Sequence, residues 1–291
     1  MKSFLKDILE LGKVRISFSV ALSALTGYVL FTSVLDMQGW AITAGVFLMS
    51  CSSGALNHWQ ERKTDALMPR TKNRPIPGGR ISPATGFIIA LAFAVSGTGI
   101  LLLSAPVVAT VLSWVTLFFY NLVYTPLKKV SAFAVIPGSF VGALPPLIGW
   151  AGAGGSLTSE VILLVAIFFF IGQIPHFWLL LLMFGDQYKM AGLPSLNQIF
   201  SELQIKRITY TWILTTIASA LLVIFFVFSS RLLIFLLLFY TFYLLSSLSM
   251  AVFVQKEFKV RPAFYKLNFL YLFMMIFLVT DGLLRGQILP G

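Results

Sequence analysis

The chain is a succession of long apolar stretches separated by short polar ones. A bilayer core of about 30 Å takes roughly 20 apolar residues in a helix. Stretches of that kind, free or nearly free of charge, fall at 16–35, 39–56, 84–103, 106–123, 132–150, 161–184, 208–228, 232–254 and 267–284. Helices satisfy their own backbone groups in lipid, and no ten-residue alternation of the barrel type is present. The pattern therefore predicts an all-α, polytopic membrane protein of nine transmembrane helices. Residues 1–12 place Phe4, Leu5, Ile8 and Leu9 at helical spacing between charged positions, which predicts an interfacial helix. No long linker divides the chain, so residues 1–291 read as a single membrane domain.

Composition agrees. Apolar types make up 58% of the 291 residues and charged types 11%, against about 25% in an ordinary soluble domain. Phe alone occurs 28 times, which excludes disorder, and the lone Cys51 excludes a disulfide scaffold. A net charge of +11 suggests nucleic acid only until its distribution is read. With the N-terminus inside, the inner segments hold every Lys and Arg except Arg231 and Arg285, as the positive-inside rule requires. The sequence shows no small-residue cleavage site and no Arg- and Ser-rich leader, so the expected location is the bacterial plasma (inner) membrane.

Two inner loops are long and polar, after the second and the sixth span. In the first, Asn57, Glu61 and Asp65 are spaced by four, on one helix face with a drift of roughly 40° per step. Two carboxylates and an amide oxygen suit a hard cation such as Mg²⁺. Arg70, Lys72 and Arg74 follow closely and suit an anion. Metal-ligating acids beside phosphate-binding cations are the chemistry of a diphosphate site. Lys63 and Arg80 read as solvated topology charges, and His58 as structural.

The second region contains Pro175-His176-Phe177-Trp178, then Asp186-Gln187-Tyr188. Asp186 is either a solvated residue at a helix end or an acid facing the first motif across a cavity. His176 is costly inside a span unless hydrogen-bonded or functional, and the sequence leaves both readings open. Lys128 and Lys129 are either topology signals or, with Tyr124, phosphate contacts. Pro145, Pro146 and Gly149 predict a kinked or broken fifth span.

The order of Asn57-xxx-Glu61-xxx-Asp65, Met68-Pro69-Arg70-Thr71-xx-Arg74-Pro75, Tyr124-Thr125-Pro126-Leu127-Lys128, Pro145-Pro146-Leu147-Ile148-Gly149-Trp150 and Pro175-His176-Phe177-Trp178 resembles the UbiA-type intramembrane prenyltransferases. The last two stretches resemble the branch of that family that farnesylates haem. The resemblance covers almost the whole chain and implies a UbiA-like helical bundle with a central cavity. It also implies transfer of a farnesyl group from farnesyl diphosphate to a vinyl group of haem b, with addition of water, giving haem O and diphosphate. On the same basis Asn57, Glu61, Asp65 and Asp186 would be catalytic and hold Mg²⁺. Arg70, Lys72, Arg74, Tyr124 and Lys128 would grip diphosphate, Tyr188 would shape the second loop, and His176 would contact haem. Farnesyl diphosphate, haem b, membrane lipid and haem-modifying or oxidase-assembly proteins are the partners so implied. Two positions depart from the family: Glu61 stands where the wider superfamily has Asp, and Gln187 where this branch has Asp. Two other readings compete: a prenyltransferase acting on an aromatic quinone precursor, and a transporter with polar residues along a mid-membrane path.

Overall fold

The computed structural model describes residues 2–254 and 259–288, and the described residues form no strand. In chain order the helices are α1 (Lys2–Leu11), α2 (Val14–Thr32), α3 (Met37–Asp65), α4 (Pro83–Ser104), α5 (Val107–Phe118), a π-helical turn (Phe119–Tyr124), the short α6 (Thr125–Leu127), α7 (Val135–Gly152), α8 (Glu160–Met190), α9 (Glu202–Phe226), α10 (Arg231–Phe253) and α11 (Val260–Ile288). Among the described residues, nine segments are long and apolar enough to cross a bilayer, and they coincide with the nine expected from sequence. Lys256, one of the basic residues read for topology, lies outside the described residues.

Two apolar clusters organise the bundle. One joins α2, α3, α4, α5 and α7 through Tyr28, Ile42, Leu101, Leu117 and Ile148. The other joins α8 to α11 through Phe168, Ile213, Leu237 and Met274. Between them, α2 meets α7 at backbone contact. A Cβ on Gly149 would lie 1.7 Å from the Ala24 carbonyl oxygen, and one on Gly27 would lie 1.9 Å from that of Pro146. Close approach through small residues is how helices associate in lipid, where the hydrophobic effect gives no drive between them. The Pro145-Pro146-Gly149 stretch therefore does not break its span: α7 is continuous through both prolines, and the stretch forms a tight helix–helix seam.

Helix ends carry ordinary local signals. Asp36 caps α3 by accepting from the Gly39 N–H at 2.9 Å, and Ser82 caps α4 with Pro83 in its first turn. Ser201 and Gln204 form a capping box at α9. Asp281, near the end of α11, is fully buried. Its carboxylate accepts from the Ser230 N–H at 2.7 Å and from Arg285 Nε at 3.0 Å, so it holds the start of α10 against α11.

The two polar regions are not loops throughout. α3 extends to Asp65 and α8 to Met190, so Asn57, Glu61, Asp65, His176, Asp186 and Tyr188 all sit on helices. α8 departs from helical backbone at Phe184 (φ −124°, ψ 16°).

Candidate functional site

The last two turns of α3 run into the bundle interior, where Asn57, Glu61 and Asp65 are all buried. They line a cavity of about 160 Å³. Their spacing puts them on one face, and each oxygen-bearing group holds a cation. Lys13 Nζ donates to Asn57 Oδ1 at 2.5 Å, Lys128 Nζ to Glu61 Oε2 at 2.7 Å, and Arg74 Nη1 to Asp65 Oδ2 at 2.7 Å. Asn57 Nδ2 donates to Glu61 Oε2 at 3.0 Å and to Thr125 Oγ1 at 3.2 Å, joining the Lys13 and Lys128 contacts into one network beside the separate Asp65–Arg74 pair.

The opposite wall comes from the π-turn and α6. Hydrogen bonds of the i→i+5 type take more than four residues per turn. Residues four apart therefore drift there in the sense opposite to an α-helix. The succession of α, π and α segments keeps Tyr120, Tyr124 and Lys128 on the cavity side. Asn121 fixes the turn against α3, donating from Nδ2 to Gln60 Oε1 at 3.0 Å and to the Ser53 carbonyl at 3.1 Å. Tyr124 packs on Phe177 of α8, with ring centroids 5.5 Å apart. Burial pushes the Lys128 ammonium down, but the adjacent Glu61 carboxylate outweighs it and holds the group above its ordinary range. Lys13 is held below its ordinary value, chiefly by burial.

The segment 66–82 closes the cavity. Thr71 turns inward, its hydroxyl donating to the Asp65 carbonyl at 2.8 Å, so the next residue, Lys72, is exposed and does not line the cavity. Arg70 lies over the Phe184 ring at 4.5 Å, and its backbone N–H donates to Gln187 Oε1 at 3.2 Å. Gln187, the departure from the expected acid, thus joins the two polar regions as a neutral acceptor. Tyr188 lines the cavity and packs near Met68 and Leu193.

Of the expected site residues, Asn57, Glu61, Asp65, Arg70, Arg74, Tyr124, Lys128 and Tyr188 converge, while Lys72, Asp186 and His176 do not. Asp186 is exposed and off the cavity. After the irregular backbone at Phe184, it is Tyr188 that faces inward, so Asp186 joins no ligand set with Glu61 and Asp65 here. His176 faces α11 instead. Its Nδ1 is 2.8 Å from Asn268 Oδ1, and its ring lies among Phe264, Tyr271 and Phe177, of which Phe177 also lines the cavity. Arg80 is more than a solvated charge: it bonds Asp7 Oδ1 at 2.7 Å and Glu10 Oε2 at 2.6 Å, tying α1 to the 66–82 segment. His58 is buried off the cavity.

Lys13, Tyr120 and Thr125 contribute to the site without being singled out by the sequence. The four-residue spacing of Tyr120, Tyr124 and Lys128 was a readable signal. Lys13 gave none, because its approach depends on a left-handed backbone (φ 47°, ψ 46°) between α1 and α2.

Fold and site together define a multi-span helical membrane protein with a buried pocket of acids and cations. The chain belongs to the UbiA prenyltransferase family, whose family model matches residues 16–275. Among curated relatives it is 38% identical over 185 residues to a protoheme IX farnesyltransferase of Oleidesulfovibrio alaskensis, covering 64% of this chain and 66% of the relative. It is 41% identical over 187 residues to that of Geobacter sulfurreducens (64% and 68%) and 41% over 191 residues to that of Christiangramia forsetii (65% and 63%). The matched stretch thus spans about two thirds of each relative's length. In fold it is similar to a UbiA homolog from Archaeoglobus fulgidus bound to GPP and Mg²⁺, with TM-score 0.70, 14% identity, and coverage of 95% of this chain and 99% of that one. It is also similar to an apo UbiA homolog from Aeropyrum pernix, with TM-score 0.70, 16% identity, and coverage of 94% and 98%.

Proposed function

We propose that this protein transfers the farnesyl group of farnesyl diphosphate to a vinyl group of haem b, with addition of water, giving haem O and diphosphate. The observation that carries the reading is the cavity. It sets Asn57, Glu61 and Asp65 on one wall, each bonded to a cation (Lys13, Lys128 and Arg74), beside aromatic and aliphatic walls. The acceptor is argued from the relatives named protoheme IX farnesyltransferase.

The donor set fits Mg²⁺. It consists of hard oxygens, and all three side chains already hold a positively charged nitrogen at 2.5–2.7 Å. Bound there, the ion would offset the charge that develops on the leaving diphosphate. Arg70, Arg74 and Lys128 bind and orient the diphosphate by charge-assisted hydrogen bonds. The farnesyl C1–O bond breaks with its electron pair going to diphosphate, and the rings of Tyr124, Tyr120 and Phe177 flank the resulting allylic cation. The vinyl π electrons then form the new C–C bond. Water takes up the remaining cationic carbon and loses a proton. Val135, Leu180 and Leu181 keep bulk water from the cavity until that stage. His176 would contact haem on the far side of Phe177, with Asn268 Oδ1 accepting from Nδ1–H and Nε2 left free. The basic end of the bundle lies toward the cytoplasm of a bacterial plasma membrane.

The test is an assay of purified protein with haem b, farnesyl diphosphate and Mg²⁺, with products read by mass. A haem that gains a farnesyl group plus water, only with Mg²⁺ present, supports the reading. Farnesylation of an aromatic acceptor, with none of haem, would replace the acceptor and keep the diphosphate chemistry.

A further inference from the structure

The cavity's charge does not balance within the protein. Lys13, Arg70, Arg74 and Lys128 line it against Glu61 and Asp65, a net of two positive charges. Lys128 and Arg74 have carboxylate partners. Among the described residues no ion pair is formed by Lys13 or Arg70. Arg70 is exposed, whereas Lys13 is half-buried with its ammonium inside the cavity, bound to the neutral Asn57 Oδ1 at 2.5 Å and Tyr120 hydroxyl at 3.3 Å. A buried cation without an anion is costly, because lost hydration is not replaced by an ion pair.

The backbone is bent to place it there. Lys13 holds φ 47° and ψ 46°, a conformation that costs about 1 kcal/mol or more for a residue with a Cβ and is kept where surroundings over-determine it. The preceding Gly12 packs on α3, where a Cβ on Gly54 would lie 3.1 Å from the Gly12 carbonyl oxygen. α1 is clasped from the other side by Arg80.

We propose that this site binds its diphosphate with one divalent cation, held by Asn57, Glu61 and Asp65, and that the Lys13 ammonium supplies the countercharge a second cation would bring. The acid of the second motif, Asp186, is exposed and off the cavity, and its neighbour Gln187 is engaged with the Arg70 backbone. A prenyl diphosphate carries roughly three negative charges. One divalent cation plus the cavity's own two charges already covers that demand. A second would leave an excess of positive charge in a low-dielectric site. Lys13 and the metal call on the same Asn57 oxygen, so the ammonium turns from Oδ1 to the diphosphate as the metal takes its place. The inference rests on the diphosphate reading but not on haem as acceptor.

The experiment is equilibrium dialysis of the full-length protein in detergent against Mn²⁺ and inorganic pyrophosphate, with bound Mn²⁺ counted by electron paramagnetic resonance. One Mn²⁺ per chain is expected with pyrophosphate, in the wild type and in Asp186→Asn alike. Lys13→Gln is expected to weaken pyrophosphate binding about 10-fold or more, and Lys13→Arg by no more than about 3-fold, since one charge-assisted contact is lost in the first and kept in the second. Two Mn²⁺ per wild-type chain, a lower count in Asp186→Asn, or wild-type affinity in Lys13→Gln would each overturn the proposal. Lys13→Met is a second charge-free variant. If neither charge-free variant folds while Lys13→Arg does, Lys13 is a structural tie and the proposal falls. A wild type that binds no pyrophosphate would remove the diphosphate reading along with it.

Discussion

Each acidic residue of the α3 face is paired with a base from a different part of the chain, which makes single substitutions informative. Asp65 holds Arg74 and is almost fully buried. Asp65→Ala removes a metal ligand and frees the guanidinium, and turnover should drop on the order of 10²-fold or more. Thermal unfolding in detergent should still show a folded, membrane-extractable protein. Near-normal turnover in that variant would sink the metal assignment. Asp36 lies outside the site and reports on pH. The Gly39 N–H, and after it the Tyr28 hydroxyl, hold its carboxyl below the usual range. Its stabilising contribution is therefore complete above the unfolded value of about 4 and is lost as pH falls through the lower folded value. Melting temperature should fall less steeply on acidification in Asp36→Asn than in the wild type; parallel acid limbs would remove Asp36 from the account.

At the level of elements, the α2–α7 seam tolerates no side chain. Gly149→Ala would place a methyl group 1.7 Å from a backbone oxygen that cannot rotate away. A loss of about 3 kcal/mol or more is expected, at the upper end for overpacking. Gly99→Ala, with open space around its Cβ, should be close to neutral. Comparing the two by unfolding in detergent checks the seam. Asp281 gives the second test. Asp281→Ala leaves the Ser229 and Ser230 N–H groups without their acceptor and Arg285 with only the Val227 carbonyl, and about 3 kcal/mol should be lost. Because the carboxylate joins α11 to the start of α10, hydrogen exchange should rise first around residues 227–231.

These elements also show what could be read from the sequence. Hydropathy predicted all nine spans because each is long and apolar throughout, and helical spacing alone put Asn57, Glu61 and Asp65 on one face. The outcome at Pro145 and Pro146 was not legible. Proline marks a lost N–H, but whether a helix breaks there depends on what packs against it, and the facing Gly27 is more than a hundred residues away in the chain. The position of Asp186 stayed open in the sequence for a related reason. Periodicity carries a helix face forward only while the backbone stays regular, and the turn at Phe184 is not. Asp281 had no explanation in sequence, because the N–H groups it satisfies belong to a different pair of helix ends.

Taken as a whole, the molecule concentrates its charge chemistry where the end of α3, the π-turn with α6 and the start of α2 come together, and places structural ion pairs elsewhere, at Asp281 with Arg285 and at Arg80 with Asp7 and Glu10. A transporter path calls for polar residues linking the two ends. Instead the large clusters flanking the bundle's middle are apolar.

The bend at Lys13 bears on how far the functional unit extends beyond the matched region. The family model's match starts at residue 16, three residues after the ammonium that faces the cavity. A chain trimmed to its recognisable region would keep the acids of α3 and Lys128, yet it would lack the Lys13 ammonium and the α1 segment that Arg80 clasps. The boundary drawn by resemblance and the boundary drawn by electrostatics therefore differ. An N-terminal truncation series, read by pyrophosphate affinity, would locate the second between residues 12 and 14.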